Sequence, residues 1–281
     1  MTASPLTRLV AQFRRPSVAP EPSSPPEPPA ESLDSGRIGE IDQEMSGWFN
    51  KAADEAAPGF KISADDVVVD VGAGDGGLAG FCALRARETI LIDHDRERLD
   101  RALQRYRAYG VARARAEVGD AAHVPLPDGY ASRVICTEVL EHVDDPDRVM
   151  AELVRIGQPG ALYLLSAPGT VSEKLQTKIA PPAYFEKPNH IRILEAEEFT
   201  ALVERAGLSI EGRSTLGFYW TLWWMFFWPS GIELGAGSHP LLDAWNRTWF
   251  ELLKVQDGAR IKRALDDLAP KVNAIIARKP G

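Results

Sequence analysis

A turn of glycines directly after a short apolar run is the first feature with chemical content. It reads Asp70-Val-Gly72-Ala73-Gly74-Asp-Gly76-Gly77. Glycines allow positive φ and let backbone approach a ligand closely. The run before it, Asp66-Val-Val-Val-Asp70, reads as a buried strand, and open α/β sheets bind ligands at the carboxyl ends of their strands. Gly72, Gly74 and Gly77 also satisfy the dinucleotide pattern GxGxxG. Taken alone, the turn points to a nucleotide-type ligand or to a plain structural strand–helix turn. Asp93 ends the next apolar run, 21 residues beyond Gly72. An acid at that place accepts hydrogen bonds from ribose hydroxyls, with His94 beside it. Asp95 precedes a helical pattern and reads as its N-cap.

Two further segments add polar groups. Gly119-Asp120-Ala121 follows a third run. A carboxylate there can accept the exocyclic amine of adenine while a neighbouring N–H addresses the ring. Cys136-Thr137-Glu138-Val-Leu-Glu141-His142-Val-Asp-Asp-Pro146 closes a fourth run. Histidine is the side chain that titrates nearest neutrality, and five are present. His142 and His190 fall on loops at the ligand edge. His123 lies beyond Asp120, His94 beside the ribose position, and His239 in an aromatic stretch. Glu138, Glu141 and His142 could gather a divalent cation, although one Glu-x-x-Glu-His run is a thin signal, and no residue is assigned to a metal.

VVDVGAGDGG, LIDHD, GDAAHVPLPDG and TEVLEHVDDP, in this order and spacing, resemble the class I S-adenosylmethionine-dependent methyltransferases. Within them the chain looks most like the small-molecule branch that includes the ubiquinone-biosynthesis O-methyltransferases. Leu164-Leu-Ser-Ala-Pro168, His190-Ile-Arg192 and Ala206-Gly-Leu208 agree. The resemblance covers about residues 40–215 and the last strand. It implies a Rossmann-like seven-stranded, mostly parallel α/β sheet in order 3-2-1-4-5-7-6, the last strand antiparallel, with helices on both faces. It implies S-adenosyl-L-methionine as cofactor. Asp70 and the turn Gly72, Ala73, Gly74 and Gly76 would hold its methionine end, Asp93 and His94 its ribose, Asp120 and Ala121 its adenine. Thr137 and Glu138 would line the sulfonium. One departure is Tyr130-Ala-Ser-Arg133, where family members usually carry Phe-Asp. A hydroxyl acceptor would need its proton removed, and His142 or His190 is the expected catalytic base. An NAD-dependent oxidoreductase shares the glycine turn and Asp93 but leaves Asp120 and the Glu-His run unexplained. A catalytically silent module that binds S-adenosylmethionine is the other alternative.

These groups need a scaffold. Strand-like runs are expected at 66–70, 89–92, 114–118, 133–137, 161–166, 208–215 and 272–278. Helical patterns lie at 78–87, 96–109, 146–156 and 195–206. A further one carries Ile41, Met45, Trp48, Phe49 and Ala52. Alternating strands and helices mean βαβ units and a mostly parallel sheet. Residues 1–36 read as a disordered Pro-rich segment, with Leu6 to Arg15 as a short basic helix. Residues 37–281 form the expected catalytic domain. An aromatic insertion at about 217–270 is expected as a substrate cap, either buried against the domain, paired with a second subunit, or lining a lipophilic pocket near a membrane surface.

With 281 residues, 44% hydrophobic and 26% charged, the chain can bury a sizeable core. Its net charge of −8 argues against non-specific nucleic-acid binding. Cys82 and Cys136 sit in apolar surroundings and show no zinc spacing. Without a signal-peptide h-region or a run of about 20 apolar residues, a cytoplasmic location is expected, with peripheral membrane contact through the aromatic insertion. The expected partner is a small-molecule acceptor, a hydroxyl of a lipophilic or of a lipid-linked or glycan compound. No pattern assigns an oligomeric state.

Overall fold

The computed structural model describes residues 34–111, 113–234 and 239–281. The basic helix over Leu6–Arg15 and the Pro-rich segment lie outside them, apart from residues 34–36, where Asp34 caps helix α1 (Ser35–Met45) by accepting from Gly36 N–H. A single seven-stranded sheet organises the described residues. Its strands are β1 (Val67–Val71), β2 (Glu88–Asp93), β3 (Ala114–Val118), β4 (Ala131–Thr137), β5 (Gly157–Pro168), β6 (Ser209–Leu216) and β7 (Val272–Arg278). Their spatial order is 3-2-1-4-5-7-6. Only β7 runs antiparallel to its neighbours. The expected fold class and strand order are what the chain adopts.

Central strand β1 explains the placement of the first acid. All five of its residues are buried, as expected for a parallel strand covered on both faces. Side chains alternate. Val67, Val69 and Val71 enter the core under α4 (Pro146–Ile156) and α6 (Ala196–Arg205), while Val68 enters a second core with Phe60, Phe81 and Leu164. Asp70 shares the parity of Val68 and is carried into the interior by it. Helices α2 (Gly77–Ala83) and α3 (Arg96–Ala108) follow β1 and β2, and Asp95 caps α3 by accepting from the N–H groups of Glu97 and Arg98.

Three elements differ from the sequence reading by more than two residues. The first helix stops at Met45 instead of continuing through Ala52, because the chain reverses at Gly47; Trp48 and Phe49 then pack into the second core. Helix α2 ends at Ala83 because Arg85 and Ala86 both turn their N–H to Cys82 O and Arg87 N–H bonds Asp66 O, returning the chain to the sheet. Strand β5 extends from Gly157 to Pro168 because β7 pairs along it from Leu162 to Pro168.

The long stretch between β6 and β7 is helical. It forms α7 (Phe218–Ser230), α8 (Pro240–Lys254) and α9 (Gly258–Leu268). Helix α7 is apolar all round, which suits a helix enclosed by others; it packs on α1, α8 and α9, and on α5 (Thr170–Gln176). Its Tyr219, Trp223 and Phe227 are buried with Ile38 of α1 and Leu242 and Trp249 of α8. A buried charge cluster ties the layer together. Lys262 Nζ lies 2.5 Å from Asp266 Oδ2 and 3.3 Å from Asp42 Oδ2. Trp249 Nε1 donates to Asp42, and Asp266 accepts from Phe218 N–H at the start of α7. Burial, only partly opposed by Lys262, pushes the Asp42 carboxyl up to about 6.

Removing one partner from a buried charge cluster is far costlier than removing a surface pair. Lys262→Met should therefore destabilise the protein by about 3–5 kcal/mol in urea unfolding, and adding Asp42→Asn should recover part of that loss. A change below about 1 kcal/mol would place the cluster among ordinary surface pairs.

Candidate active site

The carboxyl ends of β1, β2 and β4 meet at the middle of the sheet, and the acids picked out in the sequence gather there. The glycine turn after β1 has Gly72, Gly74 and Gly76 at positive φ. Gly72 also has no room for a side chain, since a Cβ would lie 2.3 Å from Val139 Cγ2. Gly72 and Ala73 donate their N–H groups to Ile92 O, which locks the turn against β2. Asp93, buried at the end of β2, accepts from Gly74 N–H at 2.8 Å and Asp95 N–H at 2.9 Å. Its carboxylate shapes the turn, and it keeps further lone pairs for a ligand. The His94 side chain is 87% exposed, with Nδ1 3.4 Å from Asp93.

Asp70 has a different environment. Its carboxylate is 3% exposed, and Oδ1 has no hydrogen-bond partner among the described residues. Burial, reinforced by the nearby Asp93, pushes its pKa up to about 7. On the far side of β2, the exposed Asp120 accepts from Ala122 N–H, and its own carbonyl accepts from His123 N–H. This folds 120–123 into a tight turn with Ala121 at its corner.

Beyond β4 the chain is strained. Glu138, next to Thr137 at the strand end, has φ +54, a conformation that side-chain-bearing residues avoid unless their surroundings enforce it. Ser166 of β5 supplies that enforcement: its carbonyl accepts from Glu138 N–H and its hydroxyl donates to Glu138 Oε1. The bend delivers Glu141 and His142. Glu141 is 1% exposed, and neither of its carboxylate oxygens has a hydrogen-bond partner among the described residues. Burial and the neighbouring Glu138 hold its pKa well above the ordinary range, and burial raises Glu138 too.

The two histidines far apart in sequence come together. The His142 and His190 rings stand edge to face with centroids 4.9 Å apart. His142 Nδ1 lies 3.1 Å from Pro188 O. A carbonyl only accepts, so Nδ1 carries the proton and Nε2 the lone pair. Burial, then the charge of His190, lowers the His142 pKa, which keeps that lone pair available at neutral pH. Ligand atoms of Glu141, His142 and His190 lie within 4.8 Å of one another. Two imidazoles and a carboxylate at that spacing can surround one divalent cation, a grouping the sequence reading did not assign.

Several groups at this site were not singled out in the sequence. Glu173, 1% exposed on α5, touches His190, Lys271 and Tyr184. Burial pushes its pKa up, but His190 and Lys271 outweigh that and hold it below the ordinary value. Tyr184 stands 4.6 Å from His190 and 5.2 Å from Trp228 at the end of α7. The aromatic layer thus reaches the edge of the histidine pair. No helix among the described residues is long and apolar enough to cross a membrane.

Residues 69–165 match the family model described as a methyltransferase domain. A probable S-adenosylmethionine-dependent methyltransferase of Mycolicibacterium smegmatis is 32% identical over 154 residues, 54% of this chain and 54% of that protein. A ubiquinone biosynthesis O-methyltransferase of Methylococcus capsulatus is 33% identical over 98 residues, 35% of this chain and 41% of that one. The chain spans about half the length, or less, of these curated relatives. The structure of a geranyl diphosphate methyltransferase in complex with GPP and sinefungin superposes with a TM-score of 0.54 at 16% identity, over 87% of this chain and 77% of that chain; it shares the fold. The chain has the fold of these methyltransferases, and the methyltransferase-domain match covers its residues 69–165.

Asp70 makes a test of the site possible through folding alone. A carboxyl whose folded pKa is raised binds its proton more tightly in the folded state. Stability is then full below about pH 4 and falls as pH rises towards about 7. Asp70→Asn removes that penalty. At pH 8 the variant should be more stable than wild type by up to a few kcal/mol, on the order of 1.4 kcal/mol per pKa unit, and the gain should vanish near pH 4. Equal stability at both pH values would mean that Asp70 is hydrated.

Proposed function

We propose that the chain is an S-adenosylmethionine-dependent methyltransferase whose acceptor is a small, lipophilic molecule bearing a hydroxyl. The observation that carries the cofactor half is the buried Asp70 Oδ1, without a hydrogen-bond partner among the described residues, set against a glycine turn that a side chain would block. A buried carboxylate in that state calls for a cation, and the ammonium of a methionine moiety is one. Asp70 with Gly72, Ala73, Gly74 and Gly76 would hold that end, Asp93 and His94 the ribose, Asp120 and Ala121 the adenine, and Thr137 and Glu138 the region of the sulfonium. When bound, the cofactor supplies an electrophilic methyl group. The residues of the chain then have two tasks. They hold the acceptor oxygen in line with that methyl, an orientation worth roughly 7–11 kcal/mol in well-ordered cases. They also take its proton, for which His142, whose Nε2 faces Glu141 at 3.7 Å, and His190 are the candidates.

The acceptor half rests on the aromatic rim. Tyr184 and Trp228 form a continuous apolar wall beside His190, and we read the helical insertion at about 217–270 as the substrate cap. A relative named for O-methylation in ubiquinone biosynthesis supports a hydroxyl on a lipophilic molecule. Leu234 and Leu241, 69% and 41% exposed near the ends of α7 and α8, support peripheral contact with a membrane. A second reading is favoured by one observation, the buried Glu141 carboxylate, without a hydrogen-bond partner among the described residues and grouped with two imidazoles, His142 Nε2 lying 3.7 Å from its Oε1. In it Glu141, His142 and His190 hold a divalent cation, which would lend Lewis acidity to the acceptor hydroxyl.

The test is transfer of labelled methyl from S-adenosylmethionine into an extract of the source cells, followed by purification of the labelled acceptor. His142→Ala and His190→Ala should each lower turnover by about 10²–10⁴-fold with cofactor affinity nearly unchanged, and a chelator should abolish turnover only under the second reading. No labelled product from any fraction would reduce the protein to a binding module.

A further inference from the structure

We infer that Glu173 is the positioning residue of this site: with Lys271 it holds His190 in the Nδ1–H tautomer and so fixes Nε2 as the nitrogen that acts. The inference rests on reading the histidine pair as the working end of the site. It adds to that reading a residue, a partner and a direction.

Glu173 Oε2 lies 2.7 Å from His190 Nδ1, and both side chains are largely shielded, at 1% and 13% exposure. An ionised carboxylate can only accept, so the shared proton sits on Nδ1, and in the neutral ring the lone pair is then on Nε2. His142 reaches the same state by a different route, through Pro188 O. Both rings of the pair therefore offer Nε2. A carboxylate behind an imidazole is also the arrangement that orients histidines acting as bases or as metal ligands.

The other Glu173 oxygen is clamped. Lys271 Nζ lies 3.1 Å from Oε1, and Tyr184 Oη donates to the same atom at 3.4 Å. Lys271 is itself fixed just ahead of β7, because its N–H bonds Leu216 O and its carbonyl accepts from Gly169 N–H. Gly169 makes this possible. A Cβ there would lie 2.0 Å from Pro270 O, so only glycine lets the start of α5 come down onto the segment that carries Lys271. Glu173 sits one turn into α5, over that junction. Three elements distant in sequence thus converge on one carboxylate, which spends both oxygens on orientation.

The experiment is long-range ¹H–¹⁵N NMR of the ring nitrogens of His190 in the full chain. It needs neither acceptor nor cofactor, so its outcome is separate from the outcome of the methyl-transfer test. Wild type should show His190 protonated at Nδ1. Glu173→Gln, whose amide oxygen can still accept, should largely keep that tautomer. Glu173→Leu/Lys271→Met removes the acceptor together with its counter-charge and should move His190 towards the Nε2–H form. Once an acceptor is known, that double variant should lose about 10–100-fold in turnover, with the Glu173→Gln loss smaller. His190 protonated at Nε2 in the wild type overturns the inference, and so does a folded double variant that keeps the wild-type tautomer. If the double variant does not fold, the wild-type tautomer alone decides.

Discussion

The carboxylate of Asp70 is the constraint around which the site is arranged. Strand alternation drives it inside, beneath the turn that follows β1, and there it has burial and the charge of Asp93 against it, with no donor to Oδ1 among the described residues. A fold optimised only for stability would place an apolar group or a donor at that point. An acid kept there fits the proposed role of meeting a cation at the carboxyl end of β1. The other acids are treated differently. Asp93 is partnered by two backbone N–H groups and doubles as the brace of the glycine turn, and Asp120 remains exposed at the outer rim. The site therefore grades from a buried, unsatisfied acid at its centre to a solvated one at its edge.

Two buried charge clusters lie elsewhere in the fold. In the helical layer, Lys262 sits between Asp42 and Asp266 and joins α1, α8 and α9 to the first residue of α7. At the site, Lys271 and His190 share Glu173. Buried ionic groups give less net stability than apolar packing of equal volume. What both clusters provide is register. One fixes the aromatic helix over the sheet edge, and the other fixes an imidazole at the end of that helix. Tyr184 links the two, touching Glu173 and His190 on one side and Trp228 on the other.

Much of the candidate site could be placed from the sequence because its residues lie at strand ends. The glycine turn, Asp93, Asp120 and the Glu138–His142 run each sit within a few residues of an apolar run, so locating the strands located the acids. Recognising the four segments as one family pattern supplied the strand order, which local periodicity does not encode. The convergence of His142 and His190 was only suggested by both lying on loops at one edge. Glu173 carried no signal. It lies on a short helix without a motif, and its partner Lys271 is 98 positions away in sequence. The helical insertion was hard to parse for another reason. Helix α7 is apolar on every face, so it lacks the alternation from which a helix and its orientation are read. The expected helix through Ala52 failed because Trp48 and Phe49 keep helical spacing while serving a different core.

Calorimetric titration of the full chain with S-adenosylmethionine, with NADH as the control ligand, tests the central claim most directly. The account predicts saturable binding of S-adenosylmethionine alone. Affinity should increase several-fold from about pH 5.5 to about pH 7, with a proton released on binding at the lower pH because Asp70 must ionise to meet the ligand's cation. Asp93→Ala should weaken binding about 5- to 150-fold, the equivalent of roughly 1–3 kcal/mol. Binding of NADH in preference, or an affinity for S-adenosylmethionine that neither changes over this pH range nor responds to Asp93→Ala, would contradict it.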